Sequence, residues 1–260
     1  MVAPVAVTSS TDLEAKLDSP MMVPRAAAAM RNLVLAAYHH AQRNPGAAGY
    51  GKPLDEAGYD ASPFIVEPFH LFDCSRENDG AVALIVVSAE RARAMGRPAA
   101  YVLGTAQGAP GGYSALNEND EPYTSAGFAD SASGSGVASR LWAEARVKPA
   151  EVDVVQVYEN FSGPAVASLI DHGLCPPGPA AAEVMTVENL TAPGGRLPVN
   201  TSGGNIADSF VNGMGLAVEA VRQIRGTSTN QVDRADTSLF IGGPMAPLVS
   251  SVLLGSEQTL

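Results

Sequence analysis

The sequence predicts an α/β protein whose second half is a mixed sheet covered by helices. Three observations carry this. From residue 81 onward, short apolar runs rich in β-branched residues alternate with helical stripes. Loops rich in Gly, Ser, Asn and Pro separate them. The chain ends on two strand-like runs, 238–241 and 248–254, joined by Gly242-Gly243-Pro244. Alternation of strand and helix is the pattern of a sheet packed under helices.

Residues 1–20 are polar, with Thr-Ser-Ser-Thr at 8–11, and are expected to attach loosely. An Ala-rich helix is expected from Pro24 to about Asn44, opened by a first-turn proline and stopped before Pro45. Residues 45–63 read as loop. Ala81–Val87 is a continuous apolar run bounded by Asp79-Gly80 and Ser88, which predicts a buried strand. A short helix follows, with Ser88 as N-cap and Gly96 just past its end, and a strand at 99–103.

Residues 104–135 read as a long loop. Val137, Ala138, Leu141, Trp142 and Ala145 mark a helical face, residues 152–157 a strand, and 164–172 a helix with Ala165, Val166, Leu169 and Ile170 on one side. The stretch 175–195 reads as loop and 197–200 as a short strand. Leu216, Ala220, Val221 and Ile224 form a last helical stripe, stopped at Gly226.

Composition narrows the function. The 260 residues are 46% hydrophobic and 17% charged, enough apolar material for a core. The net charge of −11 argues against nucleic acid, where a basic face supplies most of the affinity. The two cysteines, Cys74 and Cys175, have neither disulfide-framework nor zinc-ligand spacing, so no metal is expected. They fit a reducing compartment. No apolar run reaches the roughly 18–20 residues of a spanning helix, and no charged-then-apolar leader opens the chain. The expectation is a soluble cytoplasmic protein.

Pro63-Phe64-Ile65 with Leu71-Phe72-Asp73-Cys74-Ser75, Tyr158-Glu159-Asn160-Phe161, Val199-Asn200-Thr201-Ser202-Gly203-Gly204 and Ile241-Gly242-Gly243 resemble, in order and spacing, four segments of the thiolase superfamily, in particular its lipid-transfer and sterol-carrier branch. Pro63-Phe64-Ile65, Pro68, Leu71-Phe72-Asp73-Cys74-Ser75 and Asp79-Gly80-Ala81 are similar to the run into the last strand of that family's N-terminal half. Tyr158-Glu159-Asn160-Phe161 stands where the family has Asn-Glu-Ala-Phe or His-Asp-Cys-Phe. Val199-Asn200-Thr201-Ser202-Gly203-Gly204 is similar to Val-Asn-Pro-Ser-Gly-Gly, and Ile241-Gly242-Gly243 to the end of Cys-x-Gly-Gly. The resemblance implies a thiolase-like fold with an incomplete N-terminal half. Residues 1–66 would be an N-terminal and loop-domain remnant, 67–103 the last part of the N-terminal half, and 104–260 the C-terminal domain.

The same resemblance implies chemistry on acyl-CoA thioesters, with coenzyme A entering as part of the substrate and no separate cofactor. It also exposes departures. No residue matches the family's nucleophilic cysteine. After Gly204 the chain reads Asn205-Ile206-Ala207-Asp208, without the Gly-His-Pro histidine, and Phe240 occupies the place of the acid/base cysteine. Claisen chemistry needs an activated thiolate, a base and an enolate-stabilising hole. Tyr158 and the lost histidine look instead like the branch of steroid side-chain aldolases, which cleave β-hydroxyacyl-CoA by retro-aldol reaction beside a small OB-fold partner. A second site tyrosine expected near Phe210 in such an enzyme is missing.

The expected site is therefore Tyr158 and Asp208 as catalytic candidates, with Gly203, Gly204, Gly242 and Gly243 bringing backbone N–H groups to the substrate. Each has a plainer reading. Tyr158 can be a packing tyrosine at a strand end, Asp208 reads first as a helix N-cap, and the glycines suit tight turns. Cys74 and Cys175 read as packing residues, His39 and His40 as a solvated helix face, His70 and His172 as structural. The leading function is aldolase-type C–C cleavage in lipid or steroid metabolism. The alternative is a non-catalytic thiolase-like subunit, or truncated lipid-transfer protein, that binds a partner or acyl-CoA. Either way the chain is expected to work in a homo- or hetero-oligomer.

Overall fold

The computed structural model describes residues 24–108, 136–177, 180–243 and 249–260. The expectations for residues 1–20, for most of 104–135 and for Pro244 lie outside them.

A four-stranded sheet organises the chain. Its strands are β3 (Tyr101–Gly108), β4 (Val154–Val157), β5 (Thr237–Gly242) and β6 (Val249–Gly255), in the order β3-β6-β5-β4. β4 and β5 run parallel, Gln156 opposite Phe240. β6 is antiparallel to both its neighbours. The sheet is thus mixed, as expected. The 197–200 run joins it only through a parallel bridge between Val199 and Val155. An earlier hairpin, β1 (Phe64–Val66) and β2 (Phe69–His70), stands apart.

The two faces differ. Val155, Val157, Leu239, Ile241 and Leu253 point into the main core, as the two-residue strand period requires. Helix α4 (Val137–Ala145), α5 (Ser162–Asp171) and one side of α1 (Pro24–Ala41) supply the rest of it through Leu141, Leu169 and Leu33. Gly104 is required here, because a Cβ would lie 2.9 Å from that of Ala145 in α4. The opposite face carries Val154, Gln156 and Ser238, all fully buried, beneath α8 (Met214–Arg225). Gln156, Thr201, Glu219 and Gln223 form a buried hydrogen-bonded network there.

Helix α1 is buried almost all round. Its other side packs Val34, Tyr38 and Ala41 on Tyr59, Ile206 and Ala207. His40 therefore does not lie on a solvated face. It is fully buried, and its Nε2 accepts the Ala192 N–H at 2.9 Å; only His39 is exposed. His172 is structural as expected, bonded to the Ser168 carbonyl and the Ser251 hydroxyl.

Other boundaries shift. Three short helices, α2 (Glu56–Asp60), α6 (Ala181–Val184) and α7 (Val187–Leu190), form inside stretches read as loop. α2 and α7 are capped by Asp55 and Thr186 side chains. Helix α3 (Ala89–Ala94) has its expected cap, Ser88. β3 extends five residues past Leu103 because β6 offers a full partner.

The largest departure is 81–87. This run forms no strand and is exposed throughout, Ile85 at 88% and Val86 at 89%. A strand is made by its neighbours: it needs hydrogen-bond partners along its edges and cover on both faces. The described residues supply neither at this point.

Candidate active site

β4 and β5 are parallel neighbours, and the segments after them converge at their carboxyl ends, where α/β sheets place ligands. Tyr158 follows β4 directly. Its N–H donates to the Ile241 carbonyl at 2.8 Å, which sets it beside Gly242-Gly243. The Gly203-Gly204 turn comes in from the side. Val157 N–H donates to Asn200 Oδ1 at 2.8 Å and Asn200 Nδ2 donates back to the Val157 carbonyl at 2.9 Å. Gly203 and Gly204 have φ of +110° and +65°, which side-chain-bearing residues rarely adopt. A single π-turn, Gly204–Asp208, follows.

A third wall comes from residues 74–80. Cys74 bridges to Phe161, Ser75 N–H donates to the Asn160 carbonyl at 2.9 Å, and Arg76 Nε donates to the Ile206 carbonyl at 3.2 Å. Asn78 Oδ1 accepts the Phe210 N–H at 2.6 Å. Asp73 anchors this wall. Its carboxylate is fully buried and accepts from Ser162 Oγ at 2.5 Å, Tyr59 OH at 2.7 Å and His70 N–H at 2.7 Å.

Tyr158 is half-buried. Its hydroxyl donates to Asn212 Oδ1 at 3.4 Å, and its ring lies edge-on to Phe210, centroids 6.0 Å apart. Burial, with the Glu159 carboxyl beside it, raises the phenol above its ordinary value. It therefore holds its proton at neutral pH and is suited to donate.

Glu159 points the other way and is fully buried. Its Oε1 accepts the Asn205 N–H at 2.7 Å. Burial dominates and pushes its carboxyl up to about 8, against the pull of the N–H groups of residues 159, 205 and 206 and the Asn200 amide. Oε2, and both polar atoms of the Asn205 side chain, are buried without a hydrogen bond among the described residues.

Asp208 is not a helix N-cap. It closes the π-turn, and α8 begins only at Met214, behind Gly213. Its carboxyl is raised by burial, and the Ser202 hydroxyl and Arg222 partly offset this. Among the described residues no hydrogen bond joins it to Tyr158. Phe240, opposite Gln156, closes on Gly242, where a Cβ would meet its ring at 3.3 Å. The described residues contain no group of His, Cys, Asp and Glu able to hold a metal ion. Both cysteines are free, and burial raises both thiols, Cys175 to about 12.

The sequence reading missed Asn212 as a neighbour of the phenol, and the 74–80 wall; Phe210, near which a second site tyrosine was expected, does lie against the Tyr158 ring. One signal pointed to the first: Asn212-Gly213 is a turn dipeptide, and both residues have positive φ, +48° and +78°.

Residues 121–254 match the family described as thiolase C-terminal domain-like. The chain is 35% identical over 223 residues to a steroid side-chain-cleaving aldolase of Thermomonospora curvata, covering 84% of this chain and 54% of that protein. It is 34% identical over 221 residues to a 17-hydroxy-3-oxo-4-pregnene-20-carboxyl-CoA lyase of Mycobacterium tuberculosis, covering 83% and 54%. The chain thus spans about half the length of these relatives. Among solved structures it is similar to an Ltp2-ChsH2(DUF35) aldolase, with a TM-score of 0.76, 29% identity, and 100% of this chain matched to 70% of that one.

Proposed function

This chain belongs to the thiolase C-terminal domain-like family, and from that membership we propose that it takes part in retro-aldol cleavage of a steroid β-hydroxyacyl-CoA. The observation that carries the reading is Tyr158, a protonated phenol at the carboxyl end of β4, in a site where Phe240 stands in place of the thiolase acid/base cysteine and the Gly-His-Pro histidine is missing. Similarity to two side-chain lyases supports it.

In such a reaction the substrate hydroxyl loses its proton and its carbon becomes a ketone. The adjacent C–C bond breaks, and the electron pair passes to the thioester as an enolate, which is then protonated to a shortened acyl-CoA. Tyr158 donates to the developing oxyanion, since its raised pKa suits a donor better than a base. Asp208 is the candidate to orient the hydroxyl or a water. The backbone at Gly203-Gly204 and Gly242-Gly243 approaches the thioester. Coenzyme A comes with the substrate, and no further cofactor is invoked.

The chain acts in an oligomer, with a DUF35-type protein of the OB-fold class as the expected partner. The similar DUF35 aldolase complex supports this, as does the exposed apolar run at 81–87, of a kind that marks interaction surfaces. Two free cysteines favour a cytoplasmic setting. Among the described residues no helix is long and apolar enough to cross a membrane.

The test gives 17-hydroxy-3-oxo-4-pregnene-20-carboxyl-CoA to the chain, alone and with a DUF35 partner, and measures the ketone released. Tyr158→Phe is expected to lower the rate about 10²- to 10³-fold with an unchanged melt. A rate within about threefold of wild type reduces Tyr158 to a packing residue. No cleavage in either preparation favours the non-catalytic subunit.

A further inference from the structure

We propose that Glu159 is a positioning residue for the Tyr158 site: its buried carboxyl anchors the loop 203–213 and thereby sets Asn212 against the phenol. The proposal deepens the reading of Tyr158 given above and rests on it for its functional meaning.

Tyr158 and Glu159 are consecutive, and one loop grips both. At its start, Gly204 lies so close to Glu159 that a Cβ would come within 1.7 Å of Oε1, the same oxygen that holds the Asn205 N–H. At its end, Gly213 lies so close to Tyr158 that a Cβ would come within 2.3 Å of ring carbon Cδ2. Asn212, which accepts from the phenol, sits just before that second glycine. The loop between the two contacts is short and internally folded as a π-turn, so a shift at the Glu159 end is passed on towards Asn212, with three further anchors sharing the hold. Gly49 and Ala48 N–H groups donate to the Ala207 and Asp208 carbonyls at 2.8 and 3.0 Å, and Asn78 holds the Phe210 N–H.

Glu159 is a neutral acid at pH 7 that gains charge near pH 8. The ionisable groups around it are Tyr158 on its own strand end, Asp208 on the π-turn, Arg76 on the 74–80 wall with its partner Tyr38 on α1, and Arg222 on α8. None of these is a cause of its shift, which comes from burial. Ionisation strengthens the Asn205 N–H bond and opposes ionisation of the phenol, so Tyr158 reports the charge on Glu159.

The experiment labels the ring ζ carbon of all 7 tyrosines of the full chain with ¹³C and identifies the Tyr158 resonance by its loss in Tyr158→Phe. The wild-type resonance is expected to show a small step with its midpoint near pH 8, ahead of the phenol's own ionisation. Glu159→Gln keeps the amide bond through its carbonyl, so its Tyr158 resonance should match wild type at pH 7 and lack the step. Glu159→Ala should displace the resonance at pH 7. A wild-type titration without the step, or a Glu159→Gln titration that keeps it, overturns the proposal. If Glu159→Ala does not fold, the comparison of wild type with Glu159→Gln decides. The readout needs no turnover, so failure to cleave a thioester counts against the proposed function and leaves the positioning role to be judged by the titration.

Discussion

Replacing Gly204 by alanine probes the join between Glu159 and the loop directly. The new side chain meets two separate obstacles. The residue sits at φ +65°, where a non-glycine residue costs about 1–2 kcal/mol. Its Cβ would also stand 1.7 Å from Glu159 Oε1 and 2.8 Å from Cδ, an overpacking that typically costs about 1–3 kcal/mol as neighbours shift. The expected loss is about 2–5 kcal/mol, or about 5–20 °C in melting temperature for a domain of this size. The two obstacles separate in a double-mutant cycle. In a Glu159→Ala background the clash with the carboxyl disappears, leaving the backbone strain and a close approach to the Asn200 side-chain amide at 3.0 Å, so the alanine should cost about 1–2 kcal/mol there. The coupling between the two positions should be about 1–3 kcal/mol, read from chemical denaturation followed by circular dichroism. A Gly204→Ala protein that melts within about 2 °C of wild type would refute the geometry. An equal cost in both backgrounds would refute the contact with Glu159.

The two buried histidines should withdraw stability in acid, against an opposite contribution from Glu159, whose raised carboxyl takes up a proton in the folded chain as pH falls below about 8. Burial lowers His40 to about 3 and His172 to about 4, below an unfolded value of roughly 6.5. The unfolded chain therefore binds more protons between these values, and stability is lost as pH falls from about 6.5 towards 4. Melts of wild type and His172→Gln at pH 7.5, 6 and 5 check this: stability of the variant should fall less steeply with acid, and parallel profiles contradict it. Thiolysis of acetoacetyl-CoA should be no faster than a no-enzyme control, since Phe240 cannot carry a proton and the stretch after Gly204 has no Gly-His-Pro histidine. Activity abolished by Cys74→Ala would reverse that. The chain alone should self-associate through 81–87. Ile85→Lys with Val86→Lys should raise the monomer fraction in sedimentation, and a wild-type chain that is a cooperative monomer at micromolar concentration would count against the surface.

What the sequence determined by itself is what local chemistry decides. Short apolar runs marked β4 and β5, the helical stripes marked α4, α5 and α8, and Ser88, Gly96 and Gly226 marked ends where capping or a left-handed residue is needed. Motif order placed Tyr158 at a strand end with the Gly203-Gly204 and Gly242-Gly243 turns, because strand ends and tight turns carry their geometry in their residue types. Tertiary structure decided what depends on neighbours distant in the chain. Residues 81–87 have a strand's composition and, among the described residues, no strand beside them. His40 is buried because Ala192, 152 residues away, folds over it. Asp208 lost its role as a cap because α8 starts only at Met214, and Glu159 became a neutral buried acid only when the loop closed upon it. Propensity is local, whereas burial, hydrogen-bond partnership and the pKa values that follow from them belong to the packed assembly of segments, which no single stretch of sequence contains.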